Sequence, residues 1–136
     1  MYLLDTDTII YSLKGIPEVV ENFRVHNTDP KAISVITYGE LIYGAEKSQN
    51  VPKNLARIHR LREIFPIIEI SCSIMDTFGS LKSRLTSQGT VLNNFDLLIA
   101  STAITMDYTV VSNNEKHFKK IPELQLENWR SGVGPG

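Results

Sequence analysis

The chain has 136 residues, 42% of them hydrophobic, enough for one ordinary domain with a real core. Its net charge of −1 argues against a protein that coats nucleic acid by bulk electrostatics, because such domains carry a clear basic excess. One cysteine permits neither an internal disulfide nor a thiolate zinc cluster, and no run reaches the roughly 18 apolar residues of a membrane helix, so the expected location is the cytoplasm.

Met1 leads directly into a short apolar strand, Tyr2 to Leu4, rather than into a charged signal peptide. Thr8 to Lys14 begins a helix that stops near Gly15 and Pro17, and a second helix covers Glu18 to Val25. Ala32 to Ile36 reads as a buried strand running into a helix over Thr37 to Lys47, whose buried stripe is Tyr38, Leu41, Ile42 and Ala45. From Pro52 an amphipathic helix turns Leu55, Ile58, Leu61 and Ile64 inward until Pro66 breaks it. Its outward side carries Lys53, Arg57, His59, Arg60 and Arg62 against a single acid, Glu63, while Lys116, Lys119 and Lys120 form a second basic group.

Strand Ile67 to Ile70 follows, and Ser71 caps a helix whose apolar positions Ile74, Phe78, Leu81 and Leu85 keep helical spacing up to Gly89. Cys72, at its start, reads as a small buried hydrophobe. Asp96 opens a further helix through Met106, Thr109 to Ser112 is a β-branched strand, and a last short strand lies around Leu124 to Leu126. Short apolar strands alternating with helices of ten or more residues predict βαβ units and a mostly parallel sheet covered on both faces, an α/β fold. The terminal SGVGPG reads as a frayed tail over residues 131–136, leaving one domain over 1–130.

In such a sheet, ligands bind at the carboxyl ends of strands, where neighbouring connections diverge. Asp5 lies at that end of the first strand, and Asn113, Asn114 and Glu115 lie at the same end of the strand Thr109 to Ser112. Glu40 sits inside a helix beside Gly39, with Gly44 one turn on; both are poor helix formers, and small residues beside a carboxylate let an ion or a phosphate approach. Asp96 marks the edge between the loop NNF and the apolar run LLIA, where it can cap a helix with one oxygen and bind an ion with the other. Three or four oxygen ligands without His or Cys companions suit Mg²⁺ or Mn²⁺ rather than zinc. Such an ion acidifies water and stabilises charge on an attacked phosphodiester, so His26, His59 and His117 are not needed as bases and read as surface or otherwise satisfied side chains.

Four segments, LLDTDTIIYSLKG, ISVITYGELIYGAEKS, NNFDLLIASTAI and TVVSNNEKHFKKIPELQLENW, resemble those of PIN-domain ribonucleases, specifically the VapC-like toxins of bacterial toxin–antitoxin pairs. The resemblance implies a three-layer α/β/α sandwich and a metal-dependent endoribonuclease in which Asp5, Glu40 and Asp96 bind Mg²⁺, with Mn²⁺ as substitute. The position where many relatives carry a fourth acid falls on Asn114, which can still donate a hydrogen bond or ligate through its carbonyl, while Glu115 can supply the missing charge. Thr6 and Ser112 match hydroxyls that orient the acids, and Asp7 falls where relatives have a cap or supporting polar group. The resemblance further implies a homodimer, and a VapB-like antitoxin whose C-terminal segment fills the groove and presents a basic side chain to the acids. Arg57, Arg60, Lys82, Arg84 and Lys116 are the candidate phosphate contacts that position RNA.

Two other classes compete. DTDTI also resembles the Asp-x-Asp start of haloacid dehalogenase-like phosphatases, but these need a later lysine and a paired acid motif, where VVSNNEKHF offers only Glu115. A binding module that keeps the fold without the chemistry would explain Asn114, and incubation with RNA and metal separates it from a nuclease.

Overall fold

Leu3 and Leu4 set the plan of the molecule, because successive side chains of a strand leave on opposite faces and both of these are fully buried. The computed structural model describes residues 1–131; the expected tail lies almost wholly outside them. Within the described residues, β1 (Tyr2–Leu4), β2 (Lys31–Ser34), β3 (Ile67–Ile68), β4 (Thr109–Val111) and β5 (Leu126–Glu127) form one sheet in the order β3-β2-β1-β4-β5. Every neighbouring pair is parallel, with Tyr2 opposite both Lys31 and Thr109.

Leu3, Ala32 and Val110 face one helical layer, made of α5 (Cys72–Ser87), α6 (Asn94–Met106) and the single turn α7 (Glu115–Phe118). Leu4, Ile33 and Val111 face the other, made of α1 (Thr6–Leu13), α2 (Pro17–Val25), α3 (Val35–Glu46) and α4 (Val51–Ile64). The result is the expected α/β/α sandwich. Each fully buried Leu, Ile or Val contributes roughly 1.5–3 kcal/mol, so strands of two to four residues are held by the layers on both sides of them. Trp129 closes one edge, stacked on His26 at 4.9 Å between ring centroids, with Tyr2 and Phe23 edge-on to it. No helix among the described residues is long and apolar enough to cross a membrane.

Several boundaries and burials differ from expectation for identifiable reasons. β2 stops at Ser34, not Ile36, because the Ser34 hydroxyl accepts the Ile36 N–H at 3.1 Å and starts α3 two residues early. α1 likewise starts at Thr6, with Asp5 as its cap. Asp96 does not open α6; Asn93 caps it, its Oδ1 accepting the Asp96 N–H at 2.9 Å. Ile64 is 65% exposed because the stripe of α4 steps from Leu61 to Phe65, four residues on, and leaves Ile64 outside. Cys72 is exposed because, two residues before Ile74, it lies about 200° around α5 and faces away from the layer that Ile74 enters. β3 is half its expected length, the last strand falls one to two residues later than Leu124–Leu126, and α7 was not expected at all.

Candidate active site

The chain turns to one helical layer after β1 and to the other after β4, so a crevice opens between the carboxyl ends of these adjacent strands. Asp5 occupies it immediately after Leu4, its own N–H paired to the Val111 carbonyl at 2.9 Å. Its Oδ1 accepts the Thr6 N–H at 2.8 Å and its Oδ2 accepts the Ser112 hydroxyl at 2.7 Å. Ser112 in turn accepts the Asn114 N–H at 2.9 Å, which ties the turn after β4 to the acid after β1. Asp7, one step along α1, accepts the Asn113 N–H at 3.1 Å and the Thr8 hydroxyl at 3.2 Å.

Glu40 arrives from α3, where the Thr6 hydroxyl donates to its Oε1 at 2.9 Å and leaves Oε2 without a partner among the described residues. Asp96 arrives from α6. Its Oδ2 accepts Asn93 Nδ2 at 2.8 Å and lies 3.1 Å from His117 Nδ1, with Asn114 Nδ2 at 3.5 Å. Because Asn93 takes over capping, the Asp96 side chain is released towards the cleft, where its Oδ1 has no partner among the described residues.

Asp5, Asp7, Glu40, Asp96 and Asn114 thus line one cleft of about 340 Å³. Asp5 is only 6% exposed, and burial, reinforced by Asp7 and Asp96, pushes its carboxyl up to about 7 against the opposing pull of Ser112 and Thr6. Burial raises Asp7 as well. The carboxylates offer hard oxygens, Glu40 Oε2 and Asp96 Oδ1 among them unclaimed by hydrogen bonds among the described residues, and a divalent ion of the Mg²⁺ or Mn²⁺ class fits that chemistry. The acids are not drawn into a ready cage, however. Among the described residues no three His, Cys, Asp or Glu side chains are gathered closely enough to hold one ion together. Each carboxylate is held by its own hydrogen bonds around a shared volume.

The other candidates divide. Glu115 turns away from the cleft to Asn128 and Lys119, so it does not supply the fourth charge. Gly39 and Gly44 face open space, and nothing among the described residues requires their smallness; they border depressions on either side of Glu40. Arg57 lines an apolar groove of about 290 Å³ that shares Ile10 and Glu40 with the cleft, and donates to the Leu13 carbonyl at 3.1 Å. Lys82 reaches Asn94 at the start of α6, at 2.8 Å. Arg60 and Lys116 are exposed, and Arg84 is committed to Glu123 at 2.6 Å in a separate depression.

Sequence reasoning passed over His117 and Asn93. His117 is three residues after Asn114 and therefore on the same side of one helical turn, and Asn93 is three before Asp96, the spacing of a cap; those offsets were the available signals.

A profile of the PIN domain family matches residues 2–124. The chain is 38% identical over 133 residues to Ribonuclease VapC2 of Rickettsia felis, covering 95% of this chain and 98% of that one. To the tRNA(fMet)-specific endonuclease VapC of Salmonella typhimurium it is 35% identical over 129 residues, covering 94% and 97%. Among solved structures, VapBC2 from Rickettsia felis bound to a promoter DNA fragment superposes with a TM-score of 0.87 at 36% identity, over 94% of this chain and 98% of that one. DNA-bound VapBC from Salmonella typhimurium gives 0.86 at 32%, over 94% and 97%.

Proposed function

Because the chain belongs to the PIN-domain family, we propose that it is an endoribonuclease, the toxin of a toxin–antitoxin pair, which hydrolyses RNA phosphodiester bonds with the help of a divalent ion. The observation that carries this reading is the cleft into which Asp5, Glu40 and Asp96 project from three sequence-distant elements. The phosphatase alternative falls with the family assignment.

Asp5, Glu40 and Asp96 would hold the ion, Mg²⁺ with Mn²⁺ as substitute, partly through the waters such an ion keeps, since the three carboxylates are not gathered closely enough to enclose it directly. When bound, it supplies acidification of water and counter-charge to the scissile phosphate. The protein's own part is orientation. Ser112 and the Thr6 N–H fix both oxygens of Asp5, Thr6 through its hydroxyl fixes Glu40, and Asn93 fixes Asp96. Asn114 offers an amide in place of a fourth acid, which lowers the repulsion that an RNA phosphate meets on entry. Arg57, in the groove adjoining the cleft, and Lys82, paired with Asn94 at the start of the helix that carries Asp96, would serve as phosphate contacts for a chain whose basic charge is local.

The partner protein is a VapB-like antitoxin, as in the VapBC complexes that share this fold. The groove beside Glu40, with Leu13, Leu41, Ala45 and Ile58 along it, offers an apolar seat that ends at the acids, and a basic side chain of the antitoxin would complete it. Tyr43 and Phe95, 66% and 53% exposed around a wide apolar depression on the other side of Glu40, are the surface we assign to the homodimer.

The test is cleavage of purified RNAs in Mg²⁺ or Mn²⁺, beginning with the initiator tRNA that the name of the Salmonella relative suggests. Cleavage that disappears with EDTA and in Asp5→Asn supports the proposal. Cleavage that survives either control signals contamination, and binding without cleavage across a panel of RNAs favours a binding module.

A further inference from the structure

We infer that His117 is the positioning residue for Asp96, holding its carboxylate from the neighbouring turn α7 so that Oδ1 is presented to the divalent ion. The inference rests on the metal-dependent reading above and assigns a role to a side chain that reading does not use.

Three donors crowd Asp96 Oδ2, and they differ in origin. Asn93 Nδ2, at 2.8 Å, belongs to the cap of the helix that carries Asp96, so it fixes the carboxylate only relative to its own helix. Asn114 Nδ2 is at 3.5 Å, the limit of a hydrogen bond. His117 Nδ1, at 3.1 Å, is the contact that ties α6 to the end of β4, where Asp5 is held by Ser112.

The ring is delivered there by construction. α7 is one turn long, started by the Asn114 carbonyl, which accepts the N–H groups of His117 and Phe118 at 3.2 Å each. Phe118 is buried in the core layer shared with α5 and α6, which pins the turn, and Asn128 clamps its outer side through Glu115 and Asn113. With the next residue anchored inward, His117 lies on the half-exposed side of the turn, where its ring meets Asp96.

The contact with Asp96 selects the tautomer of His117 that carries its hydrogen on Nδ1. A carboxylate oxygen only accepts, so the contact with Asp96 requires Nδ1–H. That nitrogen cannot then also accept from Asn114 Nδ2, which stands 3.0 Å away, so the Asn114 amide donates to Asp96 and only abuts the ring. Where many PIN relatives place a fourth acid, this chain pairs an amide with an imidazole, and the pair grips an existing acid rather than adding another.

The test measures Mn²⁺ binding to the metal-free protein by electron paramagnetic resonance, with RNA cleavage read separately. His117→Ala and His117→Phe lack the donor, and because the side chain is 40% exposed their melting temperatures should stay near wild type. Both should bind Mn²⁺ about ten- to a hundredfold more weakly, with kcat falling and KM for RNA little changed. His117→Asn places an amide N–H near the lost Nδ1–H and should recover most of the affinity. Wild-type Mn²⁺ affinity in folded His117→Ala or His117→Phe overturns the inference, as does a folded His117→Asn no better than Ala. If wild type itself binds no Mn²⁺, the metal reading fails first and takes this one with it.

Discussion

Replacing Asp5 by Asn should make the metal-free protein more stable at pH 8 while destroying its activity. A carboxyl that titrates at about 7 in the folded state and near 3.9 in the unfolded chain is disfavoured in its charged form by folding. The sign follows from linkage: its contribution is fully present below about pH 4, where both states are protonated, and is lost as pH rises through 7. At about 1.36 kcal/mol per pH unit across roughly three units, the folded wild type carries a penalty of up to about 4 kcal/mol at pH 8. Asn removes the charge and can keep the geometry, with Oδ1 accepting Thr6 N–H and Nδ2 donating to the Ser112 oxygen. Urea denaturation in EDTA, followed by fluorescence of Trp129, the chain's one tryptophan and a fully buried one, should show the variant about 2–4 kcal/mol more stable at pH 8. At pH 4 the two proteins should be nearly equal. Added Mn²⁺ should stabilise wild type and leave Asp5→Asn unmoved. A variant less stable than wild type at pH 8, or a difference independent of pH, would refute the claim that Asp5 is electrostatically frustrated.

Asn93→Ala removes both the cap of α6 and the local grip on Asp96, so it should lower stability by about 1 kcal/mol and reduce cleavage by more than that loss of folded protein explains. Unchanged specific activity in the folded variant would show that the grip does not matter. Glu40→Gln keeps an acceptor for Thr6 and should leave the melting temperature intact while abolishing cleavage, an outcome tested by gel assay beside a thermal melt. Arg57→Ala should raise KM for RNA and lower the salt dependence of binding by about one counterion, as measured by titrating KCl; an unaltered salt slope would place Arg57 away from phosphate.

Where the pattern was periodic, it was legible. Short apolar strands alternating with longer helices argued for a parallel sheet with helices on both sides, and Leu3 and Leu4, Ala32 and Ile33, and Val110 and Val111 bear it out by meeting opposite layers. The crevice followed from the same reasoning, since Asp5 and Asn114 had to share the carboxyl edge of adjacent strands. Decisions made by single hydrogen bonds were not legible. Either Asn93 or Asp96 can cap α6, and only the geometry gives the task to Asn93. Periodicity averages over turns, so it misplaced Ile64 at the end of α4 and gave no notice of a one-turn helix such as α7. His117 was dismissed with the other histidines because a side chain's neighbours on another element leave no trace in local spacing.

The order of the strands also fixes when this cleft can exist. β1 is made first, yet its partner β4 is more than a hundred residues downstream, with Tyr2 opposite Thr109, and the Ser112 hydroxyl that holds Asp5 comes later still. An emerging chain on the ribosome therefore carries Asp5 and Glu40 long before the segment that assembles them with Asp96, and parallel pairing at such separation is slow to form. The centre of an enzyme directed at RNA is by this arrangement left open until the second of its two central strands is available to close it.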